Sequence, residues 1–179
     1  RSGDAFYESC REPRATALKG APEGYDPLRH LLDLAHDTSG GKQRLEVWAW
    51  YVVYRVRDWD DVPTVGVQPV LRLHPDWETR GPDGGIKMDE RGYLDPALPE
   101  VIELSVDVVM DVVRKYEVDG INFDFIRYTE KAGGYHPRAI ERFERLTGIK
   151  ERPQEGDAKW DEFRRKQITD YLRQCSVRV

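Results

Sequence analysis

Three observations predict an α/β fold built on a parallel sheet. Two strand-like segments, LEVWAWYVVYRV at residues 45–56 and VDGINFDFIRY at residues 118–128, are separated by a long amphipathic stretch, so the connection between them is a helical crossover. Further helix-like segments lie before and after them. The loops that follow the strands are long, roughly 40 residues after the first, whereas the helix-to-strand joints are short. Two strands in 179 residues fit either a small open α/β domain or part of a (β/α)8 barrel, which usually takes ~250 residues. In a barrel the loops that follow the strands carry the chemistry.

Each element has its own signal. Residues 27–36, PLRHLLDLAH, place Leu28, Leu31, Leu32 and Ala35 on one helical face behind Asp26 as a cap and Pro27 at the first helical position. Residues 45–56 are dense in β-branched and aromatic side chains and follow the turn-forming SGGK. Residues 99–116 span about five helical turns, with Glu100 in the first turn and Arg114 and Lys115 in the last, matching the helix dipole. Residues 118–128 form the second strand. Residues 136–148 read as a helix closed by Gly148. Residues 158–174 read as another, with Trp160, Phe163, Ile168, Tyr171 and Leu172 towards the core.

Composition excludes several functions. No apolar run approaches ~18 residues, so no membrane-spanning segment is predicted. The net charge of −5, with both signs interspersed, leaves no basic stripe for nucleic acid. Cys10 and Cys175 lack CxxC spacing, which excludes a zinc-finger or thioredoxin signature and leaves a disulfide open. His30 and His36 are six apart on a helix, and His74 and His136 precede prolines in loops, so no metal site is predicted. With neither a phosphate loop nor a GxSxG elbow, no cofactor is called for.

The chemistry concentrates in the second strand. Alternation puts Asp119, Ile121, Phe123 and Phe125 on the helix-facing side and Asn122, Asp124, Ile126 and Tyr128 on the other. Asp119 with Gly120 shapes the entry turn, while Asp124 stands at the carboxyl end. Asp124 is either a structural carboxylate, paired with Arg127 or capping a loop, or a catalytic acid. The aromatics expected at the same end, Trp48, Trp50, Tyr54, Trp59, Trp77, Tyr93 and Tyr128, suit the stacked faces of sugar rings. Ordinary glycosidase chemistry needs a second carboxylate. Asp95, in GYLDPALPE, is one candidate, although Asp followed by Pro also reads as a helix cap, and Asp4 is another.

SGDAFY, EPRA, YDPLRHLLDLAH, LEVWAWYVVYRV, HPDWE, YLDPALPEV, VDGINFDFIRY and KWDEFRRKQITDYLR follow one another in an order that resembles the glycosyl hydrolase-like 10 family of bacterial proteins. The resemblance covers essentially the whole chain and implies one fragment, residues 1–179, of a glycoside hydrolase catalytic domain with a (β/α)8 TIM barrel. The fragment would run from about the end of strand 2, at residues 1–7, through helix 4, with residues 45–56 and 118–128 as strands 3 and 4. It further implies a polysaccharide substrate, best matched by peptidoglycan glycan strands lacking stem peptides, and a secreted or cell-envelope location. Asp124 becomes the favoured catalytic residue with Asp95 beside it, and Asp4, Tyr7, Trp50, Tyr54, Arg55, Arg127 and Tyr128 become substrate-binding. Two positions depart from the family pattern: Trp48 stands where His is common, and Thr129 follows Tyr128 where Pro is usual. A partner carboxylate on a later strand stays open, as does a non-catalytic carbohydrate-binding barrel.

Overall fold

Two parallel strands, β1 (Trp48–Val52) and β2 (Gly120–Asp124), pair in register from Trp48 opposite Gly120 to Val52 opposite Asp124. This computed structural model describes residues 3–56, 66–86, 92–129 and 133–179; Trp59 lies outside them. In chain order the helices are α1 (Pro27–His36), α2 (Val70–Leu73), α3 (Pro99–Lys115), α4 (Pro137–Thr147) and α5 (Ala158–Arg178). The crossover between the strands contains α2 and α3, as the helical spacing predicts for parallel neighbours.

The helix ends follow their sequence signals with one exception. Asp26 caps α1 by accepting from Arg29 N at 3.0 Å, and Asp157 caps α5 by accepting from Lys159 N at 2.9 Å. Gly148 closes α4 in the left-handed region. The exception is α3, where Leu98 occupies the cap position without a side-chain bond. Asp95, expected as the cap, lies three residues upstream, where its main-chain oxygen accepts from Leu98 N.

Both strands are shorter than their hydrophobic runs. The chain past β1 leaves the parallel sheet for an antiparallel contact: Leu94 N donates to Tyr54 O at 2.9 Å, and Arg55 bridges Tyr93. Glu78 in turn bridges Leu94, so residues 54–56, 92–95 and 77–79 lie side by side. These described segments of the long loop thereby pair their backbone groups with one another.

The sheet has one covered and one open face. Tyr51 is 6% exposed, and with Ile121 and Phe123 it packs into the core under α3 and α5. Tyr171 of α5 meets both Phe123 and Tyr54 edge-on. On the opposite face Trp48 and Trp50 are 60% and 66% exposed, and their neighbour Asn122 is exposed too. The predicted strand parity therefore holds as far as Asp124; past the left-handed turn at Phe125 it fails, and Ile126, expected on the face of Asp124, packs against the core with Ile121 and Phe123. Trp48 lies flat across Gly120, where any Cβ would stand 2.6 Å from the indole.

A second core joins α4 to α5: Trp160, fully buried, stacks on Phe163 and meets Phe143 edge-on. Two expected core residues face outward, Leu31 at 51% and Leu172 at 41% exposure, because Leu32 and Ala35 on α1 and Tyr171 and Cys175 on α5 make the inward stripes. Cys10 and Cys175 are both free thiols.

Candidate active site

The carboxyl end of β2 carries the site. Asp124 closes the sheet with its main-chain oxygen, which accepts from Val53 N at 2.8 Å. Its side chain is held at both oxygens: Oδ1 accepts from Phe125 N at 2.7 Å and Oδ2 from Trp50 Nε1 at 3.2 Å. Half-buried and fixed in direction, this carboxylate lies on the open face beside an exposed indole.

Phe125, next in the chain, has φ of 48°, the left-handed region that a bulky side chain rarely adopts. The turn throws the Phe125 ring among three side chains. Tyr93 approaches it at 6.2 Å between ring centres, and the Arg55 and Arg127 guanidiniums lie 5.2 and 4.7 Å from its centre. Arg127 is thus placed on Phe125; the alternative pairing with Asp124 is not formed.

The loop beyond is braced from α5 and from the long loop. Arg164 donates to Gly133 O at 2.8 Å and stacks over the Tyr128 ring, while Gly134 N donates to Thr79 Oγ1 at 2.8 Å. Gly134 is required twice over, by its φ of 98° and because a Cβ there would lie 2.7 Å from the Tyr128 ring. Burial raises the Tyr128 hydroxyl well above the ordinary tyrosine range, and it has no hydrogen-bond partner.

Asp95 is fully buried, with Oδ1 accepting from Ala97 N at 2.9 Å and Oδ2 from Thr79 Oγ1 at 3.0 Å. Burial pushes its carboxyl above the usual range, opposed by those hydrogen bonds and by His136. Asp95, expected beside Asp124 as a second carboxylate, has no exposed surface here. Instead it joins the turn before α3 to the Thr79 hydroxyl, and through that hydroxyl to Gly134.

Tyr54, expected to line the cleft, is fully buried and packs against Tyr171 in the core. Asp4 and Tyr7 line an apolar cavity with Trp50 of β1, Ile121 of β2 and Val109 of α3. Tyr7 also meets Tyr116 edge-on, and its hydroxyl accepts from Ser9 Oγ at 3.2 Å. Of the expected site residues, then, the structure gathers Asp124, Trp50, Arg55 and Arg127 at one end of the sheet. Sequence reasoning missed Phe125 as their hub, together with the braces Thr79 and Arg164. The φ of Phe125 has no signature in residue type, whereas Gly133 and Gly134 did mark the braced turn.

Asp119 stands at the far end of β2. Its Oδ2 accepts from Val47 N at 2.7 Å, its Oδ1 from Arg44 at 2.6 Å, and His36 lies 3.1 Å from Oδ2. These bonds, the one from Val47 first, lower its pKa to about 2. The two aspartates therefore have separate tasks. Among the described residues no cluster of three His, Cys, Asp or Glu side chains could hold a metal ion, and no helix is long and apolar enough to cross a membrane.

A parallel α/β sheet with an oriented carboxylate at a strand's carboxyl end defines the class in which strand-end loops carry the chemistry. All of residues 1–179 match the Glycosyl hydrolase-like 10 family, and the chain belongs to it. It is 37% identical over 130 residues to glycosyl hydrolase DigH of Escherichia coli (strain K12), across 66% of this chain and 26% of that protein. It is 25% identical over 182 residues to glycosyl hydrolase YngK of Bacillus subtilis (strain 168), across 99% of this chain and 32% of that one. The chain thus spans about a quarter to a third of the length of these relatives. Among solved structures it is similar in fold to alpha-L-fucosidase isoenzyme 2 from Paenibacillus thiaminolyticus, with a TM-score of 0.64, 18% identity, and coverage of 96% of this chain and 22% of that one. It is also similar to a hypothetical protein from Ruminiclostridium thermocellum ATCC 27405, with a TM-score of 0.58, 18% identity, and coverage of 99% and 73%.

Proposed function

We propose that residues 1–179 belong to a single glycoside hydrolase catalytic domain of (β/α)8 barrel form, covering about the end of strand 2 through helix 4. On this reading the domain hydrolyses glycosidic bonds of a polysaccharide, specifically peptidoglycan glycan strands that lack stem peptides. Membership of a glycosyl hydrolase-like family supports the reaction class. One observation carries the site: Asp124, fixed by Trp50 and by its own following N–H, presents a directed carboxylate beside an exposed aromatic ring. An indole offers a sugar its apolar face, and the carboxylate supplies the acid or nucleophile.

Asp124 is then the catalytic residue, with Trp50, Arg55 and Arg127 binding substrate around it. Asp4 and Tyr7 shape the neighbouring wall, Tyr128 and Asp95 hold the loops in place, and the partner carboxylate comes from a barrel strand outside this chain. The test is Asp124→Asn in the full-length protein, assayed on purified glycan stripped of its peptides by counting new reducing ends. A loss of about 10²–10⁴-fold is expected. Release by the variant at the wild-type rate overturns the assignment of Asp124. Wild-type protein that retains glycan without producing new ends puts a carbohydrate-binding barrel in place of the enzyme.

A further inference from the structure

Two positive charges stand on the ring of Phe125, the residue that follows Asp124. Arg55 and Arg127 are both exposed, come from different strand-end segments, and converge on the one ring of Phe125. Among the described residues neither guanidinium has a carboxylate partner, in contrast to Arg44, Arg138 and Arg164, each of which has one. Two like charges held on one ring repel each other, and an anion bound at their N–H edges lowers that cost. Cation–π contact with the ring pins each planar group while leaving its N–H edge to solvent, so less freedom is lost when a ligand is gripped. The fork of N–H donors on a guanidinium matches the two oxygens of a carboxylate. The left-handed turn at Phe125, one residue from Asp124, sets the ring that carries this pair at the same end of the sheet.

We infer that Arg55 and Arg127, mounted on Phe125, form a carboxylate clamp that selects glycans carrying an acid group close to the bond presented to Asp124. The inference rests on the glycan reading above and deepens it. The acid has two chemical sources, a uronate at C6 of the sugar or an acid attached to the ring through an ether, and the clamp recognises what they share.

Binding is measured by calorimetry on the full-length protein carrying Asp124→Asn, so that cleavage does not enter. The probes are peptide-free peptidoglycan glycan with free ether-linked carboxylates, the same glycan with those carboxylates converted to methylamides, and an oligouronide. The free acid is expected to bind about tenfold or more tighter than the amide, with Arg55→Gln and Arg127→Gln each removing about tenfold on the acid and leaving the amide within about twofold. Thermal unfolding of both variants near the parent's midpoint accompanies this result. Equal losses on acid and amide, no preference between them in the parent, or no binding of any probe overturns the clamp. Tighter binding of the oligouronide than of the ether acid upholds the clamp and overturns the peptidoglycan assignment. With Asp124 restored, discrimination between acid and amide without new reducing ends upholds the clamp and overturns hydrolysis alone.

Discussion

The indole N–H of Trp50 donates to Asp124 Oδ2 at 3.2 Å across the two paired strands. The bond couples the direction of the carboxylate to the seat of an exposed ring. Trp50→Phe keeps an aromatic surface and removes the donor. A fall of about tenfold in kcat/KM on peptide-free glycan is expected, the size of a hydrogen bond to a charged group. Unchanged kinetics would show that Phe125 N alone orients Asp124.

Phe125 separates backbone strain from ring packing. At ordinary φ, glycine is less stable than alanine by roughly 0.5–1 kcal/mol, but at φ of 48° the order should invert. Phe125→Gly is therefore expected to unfold at a higher urea concentration than Phe125→Ala, by about 1 kcal/mol, although both lose the ring. The opposite order would mean that the left-handed turn is absent in solution.

Gly134→Ala puts a methyl 2.7 Å from the Tyr128 ring and 3.1 Å from Arg164 Cδ, at a φ of 98°. A loss of about 2 kcal/mol or more is expected by chemical denaturation. Early proteolysis within residues 125–135 of this variant would locate the loss in the loop that Arg164 and Thr79 hold.

Asp119 makes stability depend on acid. Its pKa is lowered from 3.8 to about 2, so the unfolded chain takes up its proton first as pH falls. The stabilisation is fully present above about pH 4 and is lost as pH drops through about 2. Asp37, held by Lys42 and Ser39, loses its contribution in the same window. Urea midpoints of wild type and Asp119→Asn should differ near neutrality and converge towards about pH 2. A constant difference across that range would assign the effect to packing.

Much of this was legible from spacing. The apolar period placed every long helix to within about four residues, with Asp26, Pro27 and Gly148 marking ends directly, and α5 runs past the predicted residue 174 to Arg178. Strand parity placed Asp124 and Asp119 correctly on opposite faces and at opposite ends, since alternation is a property of the backbone. Burial of Asp95 and Tyr54 was not legible. Both follow from residues 77–79 and 92–95 folding back beside residues 54–56, a pairing between distant segments without a local pattern. Nor did the sequence disclose that Arg127 would choose a ring over a carboxylate, a decision made by the turn at Phe125.

Trp48 and Trp50, side by side on the open face, contrast with Trp160, which is wholly enclosed. Light emitted by the first two passes through water-relaxed excited states, while the third glows from an apolar surround. A sugar bound beside Asp124 would shield Trp50, whose indole bonds that carboxylate, from acrylamide and move its emission to the blue. Trp160 emits with Trp59 and Trp77 as the background, and the difference between wild type and Trp50→Phe isolates the ring that reports occupancy of the site.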